Sequence, residues 1–250
     1  MQAIMYAAGT GVRLKSAFDD RPKVLLEFGG KSLLDWHLQR LAEAGVQRLT
    51  LVTGHRHQLI EQSLVPMNRN TPLHVSLVFN PYFTEGSILS LVASVPALQA
   101  LPVGEPVLLM DADVLYPAEF LRRLIGSVHH TALLIDRHYS VADDDPVLVP
   151  VADGRPFDFV KRWRGEAELV GESIGFFKLA HDAVCELVAL AQAMSVEAGR
   201  SLSYDDVLRR MVQAGRFGYE DVTGLPWTEI DFPADVERAN REVLPAIAAL

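Results

Sequence analysis

The 250 residues are 49% hydrophobic and 22% charged, enough for a substantial core in one α/β domain, or a domain with an embellishment. A net charge of −9 and an isoelectric point near 5.3 exclude a broad basic surface for nucleic acid, so a phosphate-rich ligand must be held by local cations or by metal ions set against carboxylates. One cysteine excludes an intramolecular disulfide; with no basic-then-apolar leader and no uninterrupted apolar run of about 18 residues, the chain reads as cytoplasmic, without membrane insertion.

The chain opens with a short apolar strand, QAIMYA (2–7), that runs into Gly9-Thr10-Gly11. Residues 32–45 repeat apolar positions at helical spacing between a serine cap and Gly45. Strands follow at 48–54 and 74–80, separated by a helix near 56–64. A helix over 87–101 is bent or ended near Pro96, and PVLLMDAD (106–113) is a buried strand that ends in carboxylates. A helix at 117–128 and a strand at 131–136 complete this half. Strand and helix alternate at βαβ lengths, which predicts a Rossmann-like, mainly parallel sheet with helices on both faces and ligands at the carboxyl ends of its strands. The loop at 9–13, Asn80, Asp111 and Asp113 all fall at such ends.

Beyond residue 140 the pattern loosens. Strands are predicted at 143–151, 157–163, 171–179 and 216–222, with helices at 180–195, 203–215 and 233–250. Cys185 is placed on a buried apolar helix face, and Asp143-Asp144-Asp145 in an exposed turn. With no linker or repeat, residues 1–250 read as one domain, with 137–250 packed on 1–136 as a smaller β-rich insert and lid. His55, His57, His129 and His130 form no ligand grouping.

The glycine loop fails two common phosphate-binding patterns. A dinucleotide fingerprint needs a third glycine where Leu14 stands; GGKS at 29–32 fails the other, because Leu25 occupies its first glycine position. The string that is present is A-A-G-x-G-x-R-L from Ala7 to Leu14, with Pro22-Lys23 nine residues after Arg13 and then KSLLDWHLQRL. Glycines let backbone N–H groups approach phosphate oxygens, and Arg13 and Lys23 bring positive charge to an acidic protein.

This combination resembles the nucleotidyltransferases that join NTPs to sugar phosphates and phospho-alcohols, closest to the CTP:phosphocholine cytidylyltransferase-like and sugar-phosphate members. The resemblance implies a nucleotide-diphospho-sugar transferase type of fold, Mg²⁺ as cofactor, and CTP or another NTP as donor. Arg13 and Lys23 become the catalytic cations, and Ala7, Ala8, Gly9, Thr10 and Gly11 the nucleotide loop. In LLMDADVLY the position of Asp113 is that of a metal ligand, and Asp111 is left to orient the nucleotide. PWTEIDFPADVERA (226–239) resembles the cytidylyltransferase segment that completes the metal site, which adds Asp231 and, two residues before it, Glu229. FNPYFTEGSILSLVAS (79–94) matches at Asn80, Tyr82 and Ser90-Leu91, whereas Gly86-Ser87 replaces the usual asparagines and resembles the molybdenum-cofactor cytidylyltransferases. Asn80, Gly86 and Ser87 are thus nucleotide candidates; Tyr82, Tyr116, Lys161, Glu172 and Trp227 are acceptor candidates.

The implied reaction moves CMP from CTP to a small phosphorylated or phosphonate alcohol or amino-alcohol, with release of pyrophosphate. A sugar-1-phosphate transferase using another NTP, a molybdenum-cofactor-type enzyme and a non-catalytic nucleotide sensor are the alternatives, and a homodimer is left open. Taken singly, Arg13 fits a surface ion pair, the Asp111/Asp113 pair a helix cap at 117, and Asp231 the cap of the helix that Pro233 begins.

Overall fold

The computed structural model describes residues 1–67, 72–139, 146–197 and 199–250; the Asp143–Asp145 turn lies outside them. Its first half holds β1 (Gln2–Ala7), a 3-10 turn (Lys23–Leu25), β2 (Glu27–Phe28), β3 (Lys31–Ser32), α1 (Leu33–Glu43), β4 (Arg48–Thr53), α2 (His57–Met67), β5 (His74–Phe79) and α3 (Ile88–Gln99). Next come β6 (Val107–Asp111), β7 (Val114–Leu115), α4 (Glu119–Gly126) and β8 (Ala132–Asp136). The second half adds β9 (Leu148–Ala152), β10 (Arg155–Pro156), β11 (Leu169–Leu179), α5 (His181–Glu197), α6 (Tyr204–Gln213), β12 (Gly218–Asp221) and β13 (Thr228–Glu229). It ends with α7 (Pro233–Arg238), a π-type turn (Ala239–Val243) and α8 (Leu244–Ala248).

Strands β5, β4, β1 and β6 lie parallel in that order. Alternation along β1 divides its side chains between two cores. Ile4 faces α3, α5 and α6, while Ala3 and Met5 face α1, α2 and α4. Antiparallel β11 joins β6 through its second half and β9 through its first, with β8 along its other edge and β12 parallel to β8. The strands of the second half therefore extend the sheet of the first.

Helix α1 begins where its sequence says: Asp35 N–H donates to Ser32 Oγ at 3.1 Å and Ser32 N–H to Asp35 Oδ2 at 3.0 Å. Such a reciprocal cap contributes about 1 kcal/mol. Helix α3 continues through Pro96 to Gln99.

Three expectations need correction. Residues 157–163 form no strand, only a bridge between Leu148 and Val160. Asp158 accepts from Arg209 Nε at 2.8 Å and from the N–H of Phe159, whose ring is buried, and these bonds draw the chain off a ladder path. The C-terminal helix is interrupted by its π-type turn, because Pro245 lacks the N–H a regular turn requires. Cys185 is exposed: the buried stripe of α5 runs through Ala183, Val184, Leu187, Val188 and Ala191, and position 185 falls off it.

A third, smaller core lies under the glycine loop. Leu14, Leu26, Phe28 and Leu33 meet Leu115, Ile230, Val243 and Ile247, so the C-terminal helix supports the loop from below. No helix among the described residues is long and apolar enough to cross a membrane.

Candidate active site

The loop after β1 walls a hollow of about 300 Å³ with Gly9, Thr10, Gly11 and Arg13, closed opposite by Lys23, Asp113 and Asp231. Gly11 adopts φ +57°, a conformation that favours glycine, and Lys23 packs against it. Leu14, 2% exposed, roots the loop in the small core. Lys23 stands at the start of the 3-10 turn, after Pro22 has fixed the chain direction.

The carboxylates converge because β13 pairs with β7: Glu229 lies opposite Val114, Thr228 opposite Leu115, and Ile230 N–H donates to Asp113 O at 2.8 Å. One carboxylate oxygen each from Asp113, Glu229 and Asp231 lies within 4.8 Å of the others. Lys23 Nζ donates to Asp113 Oδ2 at 2.9 Å and also to Asp231 Oδ1. Arg13 Nη1 donates to Asp231 Oδ2 at 3.0 Å, and its guanidinium lies 4.9 Å from the Phe232 ring centre.

Neither bland alternative for these acids holds. The cap of α7 uses Asp235, which accepts from the N–H groups of Asp231 and Phe232 at 2.9 and 2.8 Å. Helix α4 starts at Glu119 after Ala118, with no side-chain hydrogen bond capping it, so Asp111 and Asp113 do not serve it.

Burial works against the charge of Lys23, but Asp113 and Asp231 overcome it and hold the ammonium above its ordinary range. Glu229 is enclosed by protein yet still reached by solvent. Enclosure, then the charges of Asp113 and Asp231, push its carboxyl well above the usual range. Three oxygen donors facing one point suit a hard cation such as Mg²⁺, which would relieve that repulsion. Asp113, Glu229 and Asp231 therefore fit a divalent ion by donor chemistry.

A second hollow, of about 370 Å³, adjoins the first and is lined by Ala8, Ser87, Asp111, Lys161, Glu172, Ser203 and Tyr204, among others. Tyr204 Oη donates to Asp111 Oδ1 at 2.5 Å; burial, and next the charge of Asp113, hold the Asp111 carboxyl well above the ordinary range. The sequence reading missed Tyr204 and Gly175. Gly175 has φ +77°, and a Cβ there would overlap Asp111 Oδ2. A glycine inside an apolar strand was the available signal, since it marks a close approach or a bulge, and the ladder between β11 and β8 shifts register between Ser173 and Phe177.

A third hollow of about 860 Å³ lies beyond the carboxylates, which it shares through Glu229 and Asp231. Its wall includes Asp136, Tyr139, Glu172, Trp227 and Arg238. Trp227 Nε1 donates to Asp136 Oδ2 at 2.8 Å, and His138 N–H donates to Asp136 Oδ1 at the same distance.

Four candidates lie apart from this cleft. Asn80 is 1% exposed and spends its amide on Ser90 Oγ (3.1 Å) and the N–H of Tyr82 (2.9 Å), so it shapes a turn. Tyr82 lies on another face under the guanidinium of Arg200, 4.0 Å from its ring centre. Gly86 packs against the 200–202 backbone, its N–H donating to Arg200 O at 2.7 Å. Tyr116 is a core residue, edge-on to Phe176 with centroids 4.7 Å apart. Aromatic and turn residues share composition between site and core, and only packing separates them.

A family model described as MobA-like NTP transferase domain matches residues 3–216. The chain is 22% identical to a CTP:phosphoglutamine cytidylyltransferase of Campylobacter jejuni, over 95% of this chain and 98% of that protein. It is 27% identical to a bifunctional IPC transferase and DIPP synthase of Rubrobacter xylanophilus over 97% of its own length, spanning about half (52%) of that relative. The inositol-1-phosphate CTP transferase from T. maritima superposes with a TM-score of 0.78 at 25% identity, covering 99% of this chain and 94% of that one. The chain thus belongs to the MobA-like NTP transferase domain family and is a nucleotidyltransferase.

Proposed function

We propose that the protein transfers CMP from CTP to a small phosphorylated or phosphonate acceptor and releases pyrophosphate, with Mg²⁺ held by Asp113, Glu229 and Asp231. The observation that carries this reading is the meeting of those three carboxylates with Lys23 and Arg13 at the mouth of the glycine loop. CTP is favoured as donor because the phosphoglutamine and inositol-1-phosphate relatives are both named for CTP.

An oxygen of the acceptor phosphate attacks the α-phosphorus of CTP in line. The bond from that phosphorus to the bridging oxygen breaks, and its electron pair leaves with pyrophosphate. The acceptor oxygen is already ionised near neutral pH, so no general base is required. Arg13 and Lys23 take up charge on the departing phosphates, the backbone N–H groups between Gly9 and Gly11 orient the triphosphate, and Asp111 and Ser87 face the nucleoside. When bound, the divalent ion supplies charge neutralisation at the α-phosphate. Lys161 and Glu172 reach the acceptor from the second hollow.

The third hollow supports an acceptor that carries an amine. Asp136 and Glu172 bring negative charge to a wall that also holds Trp227 and Tyr139, and a cation is stabilised by both carboxylates and ring faces. A pyrophosphate-release screen tests the proposal, with the common NTPs against phosphocholine, phosphoethanolamine, 2-aminoethylphosphonate, inositol phosphate and hexose 1-phosphates. CTP with an amine-bearing acceptor is the expected pair. Release confined to hexose 1-phosphates would replace it with the sugar-phosphate reading, and no release from any pair would refute transfer.

A further inference from the structure

Lys15, Asp20, His55 and Arg56 meet one another, and none of them lines the three hollows. Asp20 Oδ1 accepts from His55 Nε2 at 2.9 Å, and Asp20 Oδ2 accepts from Arg56 Nε at 3.0 Å and Nη2 at 2.8 Å. Lys15 Nζ approaches Oδ1 at 3.4 Å. The contact is made at a backbone cost. Asp19, Asp20 and Arg56 have φ of 50°, 57° and 51°, three of the four left-handed non-glycine residues among those described.

Arg56 and Lys15 are more than half exposed, and exposed ion pairs add little to global stability. Strain held in place by such a pair points to position as its return. The lever is short. Only Arg21 and Pro22 separate Asp20 from Lys23, and Pro22 begins the turn that aims Lys23 at Asp113 and Asp231. The other side of the contact is anchored, because His55 N–H donates to Ala8 O at 3.1 Å and ties the end of β4 to the start of the glycine loop.

We propose that Asp20, clasped by His55 and Arg56, is a positioning residue for nucleotidyl transfer: it fixes the 12–22 segment so that Arg13 and Lys23 face the triphosphate. This rests on the nucleotidyltransferase reading of the cleft, and it concerns the donor side alone.

The test is Asp20→Asn, which keeps the side chain's size and its tolerance of left-handed backbone while removing the charge. Binding of CTP and the other NTPs is measured by calorimetry without acceptor, and KM for each substrate, kcat and melting temperature are compared with wild type. Donor Kd and KM are expected to rise at least about fivefold and kcat to fall, while acceptor KM stays within about twofold. Arg56→Ala is expected to reproduce the effect, and the double variant to be no worse than either single one. Donor binding and kcat equal to wild type in Asp20→Asn would overturn the proposal. So would a loss falling equally on both substrates together with a lowered melting temperature, the mark of a loosened fold. Wild-type NTP binding without turnover on any acceptor would refute transfer alone, and the binding comparison would still decide the role of Asp20; no NTP binding by wild type would overturn both.

Discussion

The ammonium of Lys23 stands between carboxylates that arrive from the middle and the end of the chain, and Arg13 shares one of them. These cations balance Asp113 and Asp231. An incoming triphosphate offers them more negative charge, and a divalent ion offers the carboxylates a better partner, so the exchange moves charge without leaving any group uncompensated. Lys23→Ala removes the balance in both states. Its kcat for pyrophosphate release is expected to fall by about 10²–10³, the range seen when one donor to developing charge is lost. A near-normal kcat would move Lys23 out of the chemistry. The meeting of Arg13, Lys23, Asp113 and Asp231 was legible because each sits in a local string that resembles the nucleotidyltransferases. Tyr204 was not, because its bond to Asp111 depends on how α6 packs against the end of β6, which neither segment states alone.

Among elements, β11 shows how a strand is bent to serve a site. Gly175 leaves the room that the Asp111 carboxylate occupies, and Gly175→Ala would combine a left-handed φ with a clash. That variant is expected to lose about 1–3 kcal/mol of stability by chemical denaturation and to lower kcat; an unchanged unfolding midpoint would contradict the packing described here. Helix α1 contributes a second test. His37 is wholly buried, with Nε2 3.0 Å from Ala112 O, between Asp111 and Asp113 in the chain. Burial lowers its pKa from 6.5 to about 4, so the unfolded chain takes up the proton first as pH falls between those values. The stability tied to neutral His37 is therefore present above pH 6.5 and lost on acidification towards pH 4, a change on the order of 2–3 kcal/mol. Unfolding of His37→Gln is expected to depend less on pH across that window, and an identical slope would exclude His37 as the cause. Most elements of the first half were legible because apolar periodicity and caps agree there. The 157–163 segment and the C-terminal helix were misread because Asp158 and Pro245 act through bonds made or missing, which periodicity does not record.

At the scale of the whole molecule, the site is assembled from the start, centre and end of the chain. The sheet brings β1 and β6 side by side, the ladder between β7 and β13 carries Glu229 and Asp231 to Asp113, and the C-terminal helix closes the core beneath the glycine loop. The large apolar cores on both faces of the sheet contain none of the carboxylates, although Ala112 and Val114 of one core flank Asp113. Removal of divalent ions with a chelator is expected to abolish turnover and leave the protein folded, with only a small lowering of the unfolding midpoint; a chelator-induced loss of fold would show that the ion is structural. The three motifs were legible in the sequence, but the third hollow was not, since its wall draws on residues from 136 to 246 that carry no shared pattern.

The proposed attack on the α-phosphorus of CTP requires a divalent ion held by Asp113, Glu229 and Asp231. Its most direct test is the initial rate of pyrophosphate release, from CTP and the best acceptor of the screen, titrated with Mg²⁺ for wild type, Asp113→Asn and Asp231→Asn. No rate is expected without divalent ion in wild type, and a loss of at least about 10³ in each variant despite a retained fold. Turnover that persists in chelator, or an Asp113→Asn protein that keeps the wild-type rate, would contradict that requirement.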